Sequence, residues 1–162
     1  MKLNLIIVGV CVILYIQGCS NPSTSDSNMS SLVDYTVYTR YNYGGPKAQF
    51  DTTFYFCTRS KTAFDSLFYF VSDHSDHPDT IPLVDFSTKK VISIVKYGND
   101  FSVVSVKSVS LLDKVLNVEY SDSLIAENVT WTISIPIIIT TGVDFRMIRF
   151  NENGKILREL IP

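Results

Sequence analysis

The chain has 162 residues, with 14 Lys and Arg against 16 Asp and Glu, a formal charge of −2. A balance this close to neutral supplies no basic footprint for nucleic acid or for anionic lipid. The length fits one ordinary domain once any leader is set aside.

The leader is legible first. Lys2 opens the chain, Leu5 to Ile16 run almost without a polar side chain, and the stretch closes on Gly18-Cys19. A charged start, a short apolar core and a small residue at the cut describe a secretory signal. The cysteine after the cut makes it a bacterial lipoprotein signal, because a thiolate is the nucleophile that accepts a diacylglyceryl group. The apolar run falls short of the ~18 to 20 residues that cross a bilayer. The expectation is therefore a signal peptide over 1–18, lipidation at Cys19 and a bacterial cell-envelope location, tethered to a membrane through covalent lipid. Residues 19–31, serine-rich and poor in apolar groups, read as a flexible tether. A single β-rich domain is expected over 32–162.

The domain reads mostly as short strands. Val33, Tyr35, Val37, Thr39 and Tyr41 alternate at period two, as a half-buried strand does, and Gly44-Gly45-Pro46 marks a turn. In the next strand Phe50, Thr52, Phe54 and Phe56 share one face, with Tyr55 and Cys57 on the other. The period then changes. Phe64, Leu67, Phe68 and Val71 stand at i, i+3, i+4, i+7, which predicts a helix over 62–71 with Thr62 as its capping residue. So short a helix must pack on something, and the phenylalanine face of a sheet is the expected support.

A polar loop over 72–80 leads to four β-rich runs at 91–97, 101–109, 115–120 and 129–139. The first carries apolar residues on both parities, the mark of a strand buried on both faces. In the fourth, Pro136 removes a ladder donor, so the strand should end, bulge or lie at an edge there. A last hairpin is expected over 144–161, turning at Asn153-Gly154. The fold class is α+β: mainly antiparallel β, as a curved sheet or a two-layer sandwich, with one short helix.

Residues 60–68 (SKTAFDSLF) and 82–92 (PLVDFSTKKVI) resemble bacterial lipoproteins of the PrcB type, the protease-complex-subunit family. Those proteins combine a short helix ending in a hydrophobic pair with a P-x-x-D-F-S-x-K-x-V segment leading into a core strand. The glycine-rich step that follows in the family is reduced here to Gly98, ahead of Phe101-Ser102. The resemblance implies a β-rich envelope lipoprotein that associates with and stabilises a secreted protease. On physical grounds Asp85 is a turn former, its carboxylate accepting from backbone amides two residues on, and Phe86 plugs the core.

Other chemistry is thinly represented. His74 and His77, among Asp73, Asp76 and Asp79, are weak candidates for a metal site, but their spacing matches no rigid metal signature. There is no Gly-x-Ser-x-Gly elbow, phosphate loop or dinucleotide fingerprint. Of three cysteines, Cys11 leaves with the signal and Cys19 is lipidated, so Cys57 has no disulfide partner. Tyr35, Tyr38, Tyr41 and Tyr43 are candidate partner-binding rings, since tyrosines on a strand anchor proteins or stack on sugars. The expectation is a non-enzymatic protein-binding or scaffolding domain needing no cofactor, with a secreted protease or another envelope protein as its partner. The alternative is a surface glycan-binding module on that tyrosine-rich strand.

Overall fold

The structure is a computed structural model that describes residues 30–48, 51–71, 84–130 and 132–162. Its larger sheet holds β1 (Ser31–Leu32), β7 (Phe101–Leu112), β8 (Val115–Ala126), β10 (Met147–Glu152) and β11 (Lys155–Leu160), in that order. A second sheet orders β2 (Thr36–Tyr38), β9 (Ile133–Thr141), β6 (Lys90–Gly98) and β4 (Thr52–Thr58). A small third sheet pairs β3 (Tyr41–Tyr43) with β5 (Phe68–Phe70), joined through α1 (Lys61–Asp65) to β4. Pairing is antiparallel except between β8 and β10. There the chain visits β9 in the other sheet before returning, which is the crossover a parallel pair needs.

Alternation explains the layering. Ile92 and Ile94 of β6 and Ile137 and Ile139 of β9 face Leu116, Val118 and Tyr120 of β8, with Ile148 and Phe150 of β10, in one buried cluster between the two large sheets. The opposite parity of the second sheet, Val91, Val95 and Ile138 with Phe54 and Phe56, is covered by Tyr41, Tyr43, Phe64 and Phe68. So β6 is buried on both faces, as its double-parity pattern requires. The result is a two-sheet sandwich with a thin aromatic third layer over one sheet.

Three local expectations need correction. The helix stops at Asp65 instead of reaching residue 71, and Ser60, not Thr62, caps it, its Oγ accepting from the Ala63 amide at 3.2 Å. Phe68 to Phe70 pair with β3 instead, Tyr43↔Phe68 and Tyr41↔Phe70. Alternation buries Phe68 and exposes Tyr69, an outcome that aromatic β propensity and a waiting partner strand favour over three more residues of helix. Val71, expected on the helix's apolar face, is exposed. Residues 33–41 form no single strand either: β2 and β3 join different sheets. Pro136 sits inside β9 opposite Val95, beyond the last β2 pair, Tyr38↔Ile138, so its missing donor is tolerated where the β2 side carries no ladder.

Candidate functional site

The four candidate tyrosines divide. Tyr41 and Tyr43 are each only 6% exposed and belong to the aromatic layer. Tyr41 stands edge-on to Phe64 at 5.2 Å between ring centroids, and Tyr43 packs on Phe54 at 5.7 Å and Phe68 at 5.9 Å. Burial raises both phenol pKa values above the usual tyrosine range. The Tyr43 hydroxyl donates to the Pro46 carbonyl at 3.0 Å. A Cβ on Gly45 would come within 2.6 Å of the Tyr43 ring, so the glycine turn closes directly over that ring. Tyr41 and Tyr43 therefore do not offer their rings to a partner, which corrects the reading of a four-tyrosine surface. Tyr35 is partly exposed, and Tyr38, half-buried, lies edge-on to Tyr41. Tyr69, which the helical assignment of 62–71 hid, is 56% exposed.

Asp85 acts as expected. Its Oδ1 accepts from the Ser87 amide at 3.0 Å and the Ser87 hydroxyl at 2.6 Å, and Oδ2 accepts from the Thr88 hydroxyl at 2.8 Å. These donors favour the charged form and hold its pKa below the usual carboxylate range. Phe86 packs against the aromatic layer, 5.9 Å from Phe64. Cys57 is half-buried on β4 and unpaired, and burial pushes its thiol up against the opposing pull of Arg59. That is the opposite of an activated nucleophile. Cys19, His74, His77 and Trp131 lie outside the described residues. Among the described residues no three His, Cys, Asp or Glu side chains gather as a metal set.

A second site was not foreseen. At the end of the sandwich where β4 and β7 begin and β6 and β8 finish, the apolar core gives way to polar side chains. Lys96 Nζ lies 2.6 Å from Asp122 Oδ2. Nearby, the Tyr55 and Tyr120 hydroxyls are 2.8 Å apart, and Tyr120 donates to Glu152 at 3.2 Å. Tyr120 is fully buried; desolvation, and after it the bond to Tyr55, drives its pKa far upward, so it stays a neutral donor. Beside this network opens a cavity of about 270 Å³ lined by Asp51, Thr53, Lys96, Asp100, Ser102 and Asp122, with Leu124 at its edge. Asp51 Oδ1 accepts from the Asn99 and Asp100 amides at 2.6 and 3.3 Å, and Asp100 Oδ1 accepts from the Asn128 amide at 3.1 Å. The turns at the rim are thus fixed by two of the carboxylates.

The signal for this site was parity. Asp122 follows Leu116, Val118 and Tyr120 at period two, Ser102 precedes Val104, and Lys96 follows Ile92 and Ile94. All three sit on inward positions of their strands.

Compared with protein-family models, with curated proteins and with solved structures, the chain has no match.

Proposed function

We propose that the chain is a bacterial envelope lipoprotein, acylated at Cys19, whose β-sandwich is a non-enzymatic binding domain for a protein partner. The observation that carries the reading is the Leu5–Ile16 apolar run closing on Gly18-Cys19. Two or more acyl chains at that sulfur, at about 0.8 kcal/mol per buried methylene, hold a protein on a membrane durably.

The binding role is supported by the outer side of the aromatic layer. Tyr69 of β5 and Val71 just after it are large apolar side chains left exposed; Val37 is exposed too, but it pairs with Ile139 and so lies on the other face of its sheet. The Val71 amide bonds to the Arg40 carbonyl, and the Arg40 guanidinium lies 5.4 Å from the centre of the Phe70 ring. Aromatic and arginine side chains on one strip are the residues that anchor protein interfaces. A secreted protease is the partner class that the PrcB-type motifs suggest. The glycan reading, with two of its four tyrosines buried, is not carried forward.

Two measurements test the proposal. Intact mass of the protein from its native host is expected to show acyl groups at Cys19, lost in Cys19→Ala. A photo-crosslinking residue at Tyr69 is expected to trap a protein that one at Ser121, on the far sheet, does not. Unacylated wild-type protein refutes the anchor, and equal trapping at both positions refutes the binding face.

A further inference from the structure

The outermost strands of the two large sheets are not alike. β1 has two residues and β2 three, little for another chain to pair with. β11 carries Lys155, Arg158 and Glu159, and its ladder to β10 shifts register between Phe150 and Asn151. Short strands, charges and bulges are the devices that keep sheet edges from pairing with other chains. β4 has none of them. It runs seven residues, Thr-Thr-Phe-Tyr-Phe-Cys-Thr, without a charge or a proline, and its ladder to β6 holds one register from Thr52 to Thr58. Among the described residues β6 is the one strand it pairs with. Its other side is therefore a sheet edge about 23 Å long, at roughly 3.3 Å per residue.

The sequence along that edge selects its occupant. Read outward from Tyr55, residues 51–59 (DTTFYFCTR) are close to palindromic. We propose that β4 pairs antiparallel with β4 of a second copy, centred on Tyr55, to make one continuous eight-stranded sheet. In that register Phe54 stands opposite Phe56 of the second copy and Thr52 opposite Thr58, on the side of the aromatic layer. On the other side Thr53 stands opposite Cys57, and Asp51 opposite Arg59. Symmetry makes each of these pairs twice. Aromatic pairs, threonine pairs and opposite charges are the cross-strand partners that stabilise a sheet. Asp51 and Arg59 are both exposed. Asp51 spends Oδ1 on the Asn99 and Asp100 amides, which leaves Oδ2 to accept. Arg59 gives the Pro162 carbonyl one bond at 3.2 Å, and a guanidinium has further donors. Opposed residues share parity about Tyr55, so side chains stay on matching faces and outward backbone groups meet outward ones. Pairing consumes both long edges and leaves the three-residue β2 outermost on each side, so assembly closes at a dimer.

The inference requires neither acylation nor the strip around Tyr69. It is tested on the full chain in detergent micelles with Cys11→Ala and Cys19→Ala, which leaves Cys57 as its one thiol. Sedimentation is expected to show a monomer–dimer equilibrium with a Kd on the order of 10 µM, fitting a small interface. Adding Thr53→Cys sets a thiol opposite Cys57 of the second copy, at a Cα separation of about 4.5–5.5 Å that a disulfide spans. Oxidised glutathione, taking up the two electrons, should then give a covalent dimer whose peptide map joins position 53 to Cys57. Within one chain those positions lie about 13 Å apart along the strand and cannot join. Thr53→Cys combined with Cys57→Ser leaves thiols as far apart across the pair, so no covalent dimer is expected. Arg59→Glu, a surface change, should weaken association about threefold to tenfold, and Arg59→Lys much less. Should Thr53→Cys fail to fold, the Arg59 variants decide. A chain still monomeric at ~0.5 mM, cross-linking that survives Cys57→Ser, or a folded Arg59→Glu associating like the parent chain would each overturn the proposal.

Discussion

Gly98→Ala is the sharpest perturbation the fold offers. Gly98 ends β6 with φ at +152°, a backbone that residues with a side chain rarely adopt. A Cβ there would lie 1.7 Å from Asp51 Oδ1 and 2.8 Å from the Asp51 Cα. Rotating the carboxylate clears the first contact but not the second, so the backbone at the start of β4 must also move. Rotation also breaks the bonds that the same oxygen accepts from the Asn99 and Asp100 amides. Strain of this kind costs about 1–3 kcal/mol, and a lost hydrogen bond about 1 kcal/mol. The substitution is therefore expected to destabilise the chain by roughly 3 kcal/mol in reversible urea denaturation at unchanged m-value. Asp51→Ala alone removes only the bonds and should cost about 1–2 kcal/mol. The double variant should be little worse than Gly98→Ala, because the carboxylate has already been displaced; such sub-additivity is the signature of contact. Additive losses, or Gly98→Ala within ~0.5 kcal/mol of wild type, would refute this account of the β6–β7 turn.

Other consequences are simpler. Phe64→Ala, emptying the middle of the aromatic layer, should cost about 3–5 kcal/mol, whereas Val71→Ala should stay within ~0.5 kcal/mol; urea midpoints of the two variants check this, and similar losses would restore the longer helix. Asp85 and Asp144 both have pKa values lowered in the folded state, the first by bonds from Ser87 and Thr88, the second by Lys90 and then Lys114. A depressed carboxylate contributes stability that is present above its unfolded pKa near ~3.9 and is lost as pH falls through the folded value. Carboxyl NMR titration should accordingly find both groups half-protonated below that figure, and Asp85→Asn should lower stability at neutral pH but not in strong acid, flattening the acid limb of the stability curve. Tyr120→Phe leaves Glu152 and Tyr55 without their shared partner and is expected to cost about 1–3 kcal/mol in the same denaturation assay, with the fold's circular dichroism retained.

Much of the sandwich was legible because its strands obey strict alternation. The double-parity pattern of Val91, Ile92, Ile94 and Val95 gave away a strand covered on both faces, as β9 is too. Asn153-Gly154 forms the expected tight turn, with φ of +50° and +81°. The other long hairpin was harder to place because its turn residues, Asp113 and Lys114 at φ of +51° and +63°, carry no glycine. The helix was overextended for a specific reason: an i, i+4 pair such as Phe64 and Phe68 fits helical spacing and also fits a strand two steps further on. Only the tertiary partner, β3, decides between them, and no local window contains it. The polar cavity stayed hidden for a related cause. A polar residue on a strand is ordinarily read as facing solvent, yet Lys96, Ser102 and Asp122 hold inward positions that become visible only once register is known.

Strand geometry also relates the two ends of the molecule. β1 pairs at Ser31↔Leu111 and Leu32↔Ser110, so the chain enters the sandwich at the far end of β7 from Ser102. The eight residues from Ser102 to Ser110, at roughly 3.3 Å each, put about 25 Å of sheet between the two. The cavity therefore opens at the end of the sandwich opposite the one where β1 joins β7. The exposed strip around Tyr69 belongs to neither end but to the outer side of the aromatic layer. The strip around Tyr69 and the polar cavity thus occupy separate surfaces of one framework. Tyr69→Ala should therefore leave the amide spectrum around Ser102 and Asp122 unmoved, and a spectrum altered at both places would show the two surfaces to be coupled.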